Sequence, residues 1–183
     1  MRAFMSALLL IALLLWPLPV EAEQPKLEMH RLGVNVGDGS GWYLARSTKG
    51  SFSVRLPIPF NDFTTYDAST GSASFVVGGK SSEGVKFAAV ETLITAATAD
   101  LDSIPKPFAS NPSNKVSNVT RNTRDGVDTL SFAVDGPSSG GYFRYIRTKE
   151  RMYMLTIEYP EAHRDLAAAS KEKFFASFEF GGK

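Results

Sequence analysis

The sequence predicts an α+β domain: an antiparallel sheet flanked by helices, with a C-terminal amphipathic helix packed on the sheet. Three observations predict it. Phe52-Ser53-Val54-Arg55-Leu56 alternates apolar and polar side chains, and Tyr153, Leu155, Ile157 and Tyr159 share one face of a second run. Turn signals, with Asp125-Gly126 the strongest, separate β-rich runs at hairpin distance. After Pro160 the period lengthens. Leu166, Ala167, Ser170, Phe174 and Phe178 fall on one side at helical spacing, with Arg164, Asp165 and Glu172 opposite.

The chain begins with an export signal. Arg2 supplies a positive start, an apolar run from Ala7 to Trp16 follows, and Pro17 and Pro19 break it. That run is about half of the roughly 20 residues a spanning helix needs, so residues 1–22 read as a signal peptide cut after Ala22. Residues 23–41 read as an N-terminal extension, with apolar alternation at Leu32, Val34 and Val36 and a flexible entry loop from Gly37 to Gly41. Residues 42–183 form the single domain.

Within it, Trp42 to Ala45 and Phe52 to Leu56 flank a turn at Lys49-Gly50, and Pro57 and Pro59 end the second strand. Ser72 to Val77 and Val85 to Ile94 make a hairpin through the loop Gly78 to Gly84. A short helix fits Ala96 to Ile104, ended by Pro105 and Pro107, and Lys106 to Asn114 reads as a loop. Val116 to Arg121 and Thr129 to Val134 flank Asp125-Gly126; Gly136 to Gly141 turns the chain into Tyr142 to Thr148, and Lys149 to Arg151 into Met152 to Tyr159. Pro160 opens the final helix, and Ser177 to Phe180 reads either as the end of that helix, with Phe178 on its stripe, or as a terminal strand.

Composition narrows the chemistry. With 183 residues, 43% of them hydrophobic, the chain can bury a core, but it has no cysteine. Disulfides, cysteine zinc sites, iron–sulfur clusters, thiol catalysis and a lipid anchor at the signal cut are therefore excluded. A net charge of +1 argues against a nucleic-acid partner. An exported chain without cysteine is held by burial alone, which suits a bacterial periplasmic or secreted protein with no stable membrane insertion after cleavage.

Several landmarks resemble the PsbP-like α/β sandwich: Gly41-Trp42 ahead of Phe52-Ser53-Val54-Arg55-Leu56-Pro57, the run Gly141-Tyr142-Phe143-Arg144-Tyr145, the strand Met152 to Pro160, and the helix ending Lys173-Phe174-Phe175-Ala176-Ser177-Phe178. The likeness runs from about Trp42 to Phe180 in element order. That superfamily includes extrinsic photosystem subunits, a Ran-binding nuclear-transport factor and many exported bacterial proteins. The resemblance implies an α/β/α arrangement and a non-catalytic, partner-binding habit, and it carries over no functional residue. Lys106 to Asn114 departs from the pattern, offering proline and asparagine where the sandwich has a helix.

Candidate chemistry is sparse. Gly136-Pro137-Ser138-Ser139-Gly140 matches the G-x-S-x-G elbow, and Ser138 with His163 gives a serine-hydrolase alternative. That elbow needs a helix after the serine, and a strand is expected there. Glu158, Glu161, His163 and Asp165 gather near the final helix, yet acidic residues at a helix start have a sufficient electrostatic reason, and His163 reads as a buried or capping residue; no metal or cofactor is expected. Gly37 to Gly41 lacks the Lys-Ser/Thr of a phosphate loop. Asn118-Val119-Thr120 is a formal glycosylation sequon that also reads as a chance tripeptide in a strand or turn.

The most suggestive surface is the hairpin carrying Tyr142, Arg144, Tyr145, Arg147, Arg151 and Tyr153, since arginine and tyrosine dominate binding hot spots. Arg144 and Arg147 face opposite ways by alternation, and charges guarding an edge strand are the competing reading. Thirteen phenylalanines leave a carrier of a small apolar ligand as a further alternative. The expectation is a non-catalytic accessory protein that binds a protein partner in the cell envelope.

Overall fold

The computed structural model describes residues 26–94 and 100–181. Eleven strands are present among them: β1 (Lys26–Val34), β2 (Tyr43–Arg46), β3 (Phe52–Leu56), β4 (Phe60–Tyr66), β5 (Ala73–Lys80), β6 (Lys86–Leu93), β7 (Lys115–Arg124), β8 (Val127–Asp135), β9 (Ser139–Arg147), β10 (Arg151–Pro160) and β11 (Glu179–Phe180). Two α-helices accompany them, α1 (Lys106–Ala109) and α2 (Arg164–Ala176). Eight strands form one antiparallel sheet in the order β1-β4-β5-β6-β10-β9-β8-β7, and β11-β3-β2 form a second. The β9–β10 hairpin therefore lies in the middle of the large sheet, not at its edge.

Strand β10 explains the layering. Tyr153, Leu155, Ile157 and Tyr159 face a core shared with Phe52, Leu56, Phe87 and Phe174, which joins the large sheet to the small sheet and α2. Met152 and Met154 face the other way, into a second core where Leu101, Ile104 and Phe108 lie over Leu130, Phe132, Phe143 and Tyr145. A strand covered on both faces has few positions left for polar residues, and β10 is accordingly apolar at most of them. On the second face the cover is a 3-10 turn (Leu101–Ser103) and the single turn α1. The molecule is mostly antiparallel sheet with two short helices, richer in sheet than the helix-flanked sandwich expected from the sequence.

Two strands escaped the sequence reading. The stretch read as an N-terminal extension contains β1, which pairs with β4 at the sheet's edge. Its apolar residues Leu27, Met29 and Leu32 are exposed, so burial does not enforce a clean alternation. Strand β4 resumes directly after the prolines that end β3. Its inward positions include Asp62 and Thr64, both buried, which inverts the expected apolar pattern. Burial of Asp62 is possible because Arg31 donates to it at 2.7 and 3.0 Å and Thr48 through both its N–H and its hydroxyl. Glu91, also buried, accepts from the Ser51 N–H and faces Arg151 at 3.5 Å. Between them the two carboxylates hold the β2–β3 turn against the large sheet.

Other boundaries shift for local reasons. Gly78 and Gly79 lie inside β5, not in the loop, because a Cβ at Gly78 would stand 2.6 Å from the Phe87 carbonyl oxygen. Part of the helix expected over Ala96 to Ile104 lies outside the described residues; the rest is the 3-10 turn, capped by Asp100 accepting from the Asp102 N–H. Lys106 to Ala109 is helical where a loop was expected, started by Pro105 and Pro107 in its first turn. Asp125 and Gly126 do form the tight β7–β8 turn, both with positive φ (53° and 77°). Pro160 closes β10, and a 3-10 turn (Glu161–His163) precedes α2. The buried residues of α2 are Ala167, Phe174 and Phe175, whereas Leu166 is 46% exposed, so the helix is rotated relative to the expected stripe. Glu179–Phe180 pairs with β3, as the terminal-strand reading expected.

Candidate functional site

The hairpin residues singled out in the sequence separate into supporting and presented groups. Tyr145 is 3% exposed in the second core and Tyr153 4% exposed in the first, so neither reaches solvent as part of a docking face. Burial pushes the Tyr145 phenol up from its already alkaline ordinary value, so it stays neutral. On the same face as Tyr145, Arg147 is paired with Asp128. That carboxyl is held below its ordinary range by the Thr123 hydroxyl first and by Arg147 next. Arg151, at the hairpin turn, faces buried Glu91.

Tyr142 and Arg144 stand on the opposite face, beside α2. Register puts Ala133 across from Tyr142, Ser131 across from Arg144 and Thr129 across from Ile146. One strand further out, Ser117 lies opposite Ala133, Thr120 opposite Ser131 and Asn122 opposite Thr129. The sheet next to α2 is therefore surfaced with small hydroxyl and amide side chains. Rising from it, Tyr142 packs 5.2 Å from the Tyr159 ring and lies under the Lys171 ammonium, also at 5.2 Å. Burial first, then the Tyr142 hydroxyl, push the Tyr159 phenol up, with Arg164 opposing.

Arg144 is the unusual member. Its guanidinium lies 4.6 Å from the Phe175 ring centroid, and its Nε donates to Ser131 Oγ at 3.1 Å. Stack and hydrogen bond together fix the plane of the fork. Among the described residues, Arg31, Arg55, Arg121, Arg124, Arg147, Arg151 and Arg164 each have a carboxylate within salt-bridge distance. Arg46, which is exposed, and Arg144, which is half-buried, do not. Burial lowers the proton affinity of Arg144 from its ordinary value, with the Glu172 charge opposing. A half-buried cation whose Nη1 and Nη2 have no hydrogen-bond partner among the described residues is a ready donor pair for an anionic group.

The other candidate constellations do not assemble. Ser138 and the start of the last helix do meet, through the Glu161 N–H donating to the Ser138 carbonyl at 3.0 Å. Strand β9 follows at once from Ser139, so the serine lacks the helix of a nucleophile elbow. Among the described residues no hydrogen bond joins its hydroxyl to His163, which occupies the position before α2 without a side-chain capping bond. Glu161 is engaged by Arg164 at 2.9 Å and Glu158 by Lys86 at 3.8 Å; no group of three metal-ligating side chains converges among the described residues. The phenylalanines pack on one another, as in the Phe108–Phe143 and Phe132–Phe143 pairs at 5.0 Å. Asn118 sits exposed with φ 53° at the irregularity of β7.

Sequence reasoning found Tyr142 and Arg144 and their separation from Arg147, because alternation alone gives it. It missed Lys171, Phe175 and the hydroxyl surface of β7–β8. The Asp125-Gly126 turn fixes the β7–β8 register and was the signal available for the last of these.

No known family model matches the chain, and no curated protein matches it. Among solved structures, it is similar to cyanobacterial PsbP (CyanoP) from Synechocystis sp. PCC 6803, with a TM-score of 0.53 at 14% identity over 82% of this chain and 97% of that one. With the layered sheet, the central hairpin and the closing helix already in place, that likeness identifies the fold as PsbP-like.

Proposed function

We propose that this chain is an exported, non-catalytic accessory protein that holds a protein partner of the bacterial envelope against the sheet face beside α2. The observation that carries this reading is Arg144: oriented by Ser131 and Phe175, half-buried, and with no carboxylate among the described residues within salt-bridge distance. Tyr142 and Lys171 extend the face, while Arg147, Arg151, Tyr145 and Tyr153 hold the hairpin that presents it. Arginine beside an aromatic side chain is the composition of binding hot spots. The export reading rests on the N-terminal signal and agrees with the described residues containing no helix long and apolar enough to cross a membrane. A PsbP-like fold is consistent with an accessory role.

The test is recovery of partners from the native envelope with wild-type protein and two single variants. Arg144→Gln is expected to lose a saturable partner that wild type retains, and Arg46→Gln, an exposed change on β2, to keep it. Equal recovery by wild type and Arg144→Gln would remove the face from consideration.

A further inference from the structure

The chemistry of Arg144 says more about the partner than that it binds. We infer that the group received at this site is a carboxylate on an extended acidic segment of a protein, seated by Nη1 and Nη2 of Arg144 over the hydroxyl surface of β7 and β8; this rests on the reading of that face given above. Three observations carry it.

The first is the fork itself. The Nε–H is already spent on Ser131 Oγ and one ring face on Phe175, so the guanidinium cannot swing as a point charge. What it offers is a fixed pair of donors in one plane, which matches a planar carboxylate in bidentate fashion. The second is the charge balance. Lys171, the cation over Tyr142, is shared between that ring and Glu172, and Glu172 also lies within electrostatic reach of Arg144. A single cation with no salt-bridged carboxylate among the described residues and the exposed Glu172 nearby suits a monoanion and disfavours a phosphate dianion, which sites ordinarily meet with several donors. The third is the floor. Ser117, Thr120, Asn122, Thr129 and Ser131 are short, polar and ranked in register, leaving an open shelf that gives a chain hydrogen-bonding partners along its length. A shelf of this kind fits an extended segment better than an isolated small acid.

The test titrates the purified protein, labelled with 15N at arginine, with a capped peptide of alternating glutamate and serine. Its glutamine counterpart, inorganic phosphate and phosphatidylglycerol vesicles serve as competing probes. The Arg144 Nε–H signal, protected by Ser131, is the local reporter and calorimetry gives affinity. The glutamate peptide is expected to shift that signal and the glutamine peptide to leave it unmoved. Arg144→Gln is expected to weaken binding by about tenfold or more, and Arg144→Lys by about fivefold although the charge is kept, because the fork is lost. Glu172→Gln, an exposed change, is expected to tighten it by about threefold. Arg46→Gln, removing the other arginine among the described residues without a salt-bridged carboxylate, is expected to change nothing.

Three results would overturn the inference: Arg144→Lys binding as well as wild type, Arg46→Gln weakening binding as much as Arg144→Gln, or phosphate or vesicles matching the peptide in an Arg144-dependent way. A resting Arg144 signal that already stands at its peptide-bound position and leaves it on Glu172→Gln would do so too, since the fork would then be satisfied internally. If Arg144→Gln lowers the thermal midpoint, Arg144→Lys and Glu172→Gln carry the decision. Envelope recovery that depends on Arg144, combined with any of these results, overturns the carboxylate and leaves the docking face standing.

Discussion

Arg144 and Arg147 are three residues apart on β9 and do different work because alternation sends them to opposite faces. Arg147 finds Asp128 and is absorbed into the fold; Arg144 finds a hydroxyl and a ring and keeps donors in hand. The difference is readable in the acid range. Asp128 is held below the usual carboxylate range, so the folded chain binds its proton less readily than the unfolded chain does. Its contribution to stability is thus present above the unfolded carboxylate value of about 4 and is lost as pH falls through the lower folded value. Asp128→Asn is expected to lower the thermal midpoint at neutral pH, with the gap to wild type closing as pH falls below about 4. A gap that stays constant across that range would show that the pair contributes nothing through ionisation. At this scale the sequence announced residue types and faces but not partners. Nothing local to Arg144 reveals that Ser131 awaits it across the strand, or that Asp128 awaits Arg147.

At the scale of elements, helix α2 shows what periodicity can and cannot give. Its existence follows from the 3.6-residue spacing, but its rotation follows from what the sheet offers. Phe174 meets Phe87 edge-on at 5.6 Å and Phe175 takes Arg144, which turns Leu166 out toward solvent. Phe174→Ala is therefore expected to destabilise the fold by about 3–5 kcal/mol. Leu166→Ala is expected to cost under about 0.5 kcal/mol, and chemical denaturation distinguishes the two. Comparable losses at both positions would mean the helix sits in the phase its leucine suggests. Strands β1 and β4 were illegible for the complementary reason. In β4 the buried positions are Phe60, Asp62 and Thr64, and the two polar ones are bonded by Arg31, Thr48 and His30 from distant segments. Hydrophobic alternation cannot report a strand whose inward side chains are mostly polar. The hairpins at Asp125-Gly126 and at β9–β10 were legible because their turns and their apolar faces agree.

Across the whole molecule, the sheet is open at β1 and β7, and both edges are irregular. Strand β1 breaks register at Met29/Arg31 and again at Arg31/Val34, and β7 between Ser117 and Thr120, where Asn118 adopts a left-handed conformation. Irregular, charged edges resist strand addition, which argues that recognition uses a face of the sheet and not its rim. The two faces are unequally finished. The turn at Leu101–Ser103 and α1 cover the β8–β9–β10 region on one side, while on the other α2 crosses β9 and β10 and leaves β7 and β8 bearing exposed or half-buried Ser, Thr and Asn beside Arg144. The N-terminal run read as an export signal lies outside the described residues, and the resemblance bounded the architecture. The asymmetry between faces became visible only with the strand order. The most direct measurement is photo-crosslinking in the native envelope from a probe at Thr120, on the shelf, compared with one at Leu27, on β1. A discrete partner adduct from Thr120, absent from Leu27 and lost on Arg144→Gln, is the predicted result. Identical adducts from both positions, or a Thr120 adduct indifferent to Arg144, would contradict it.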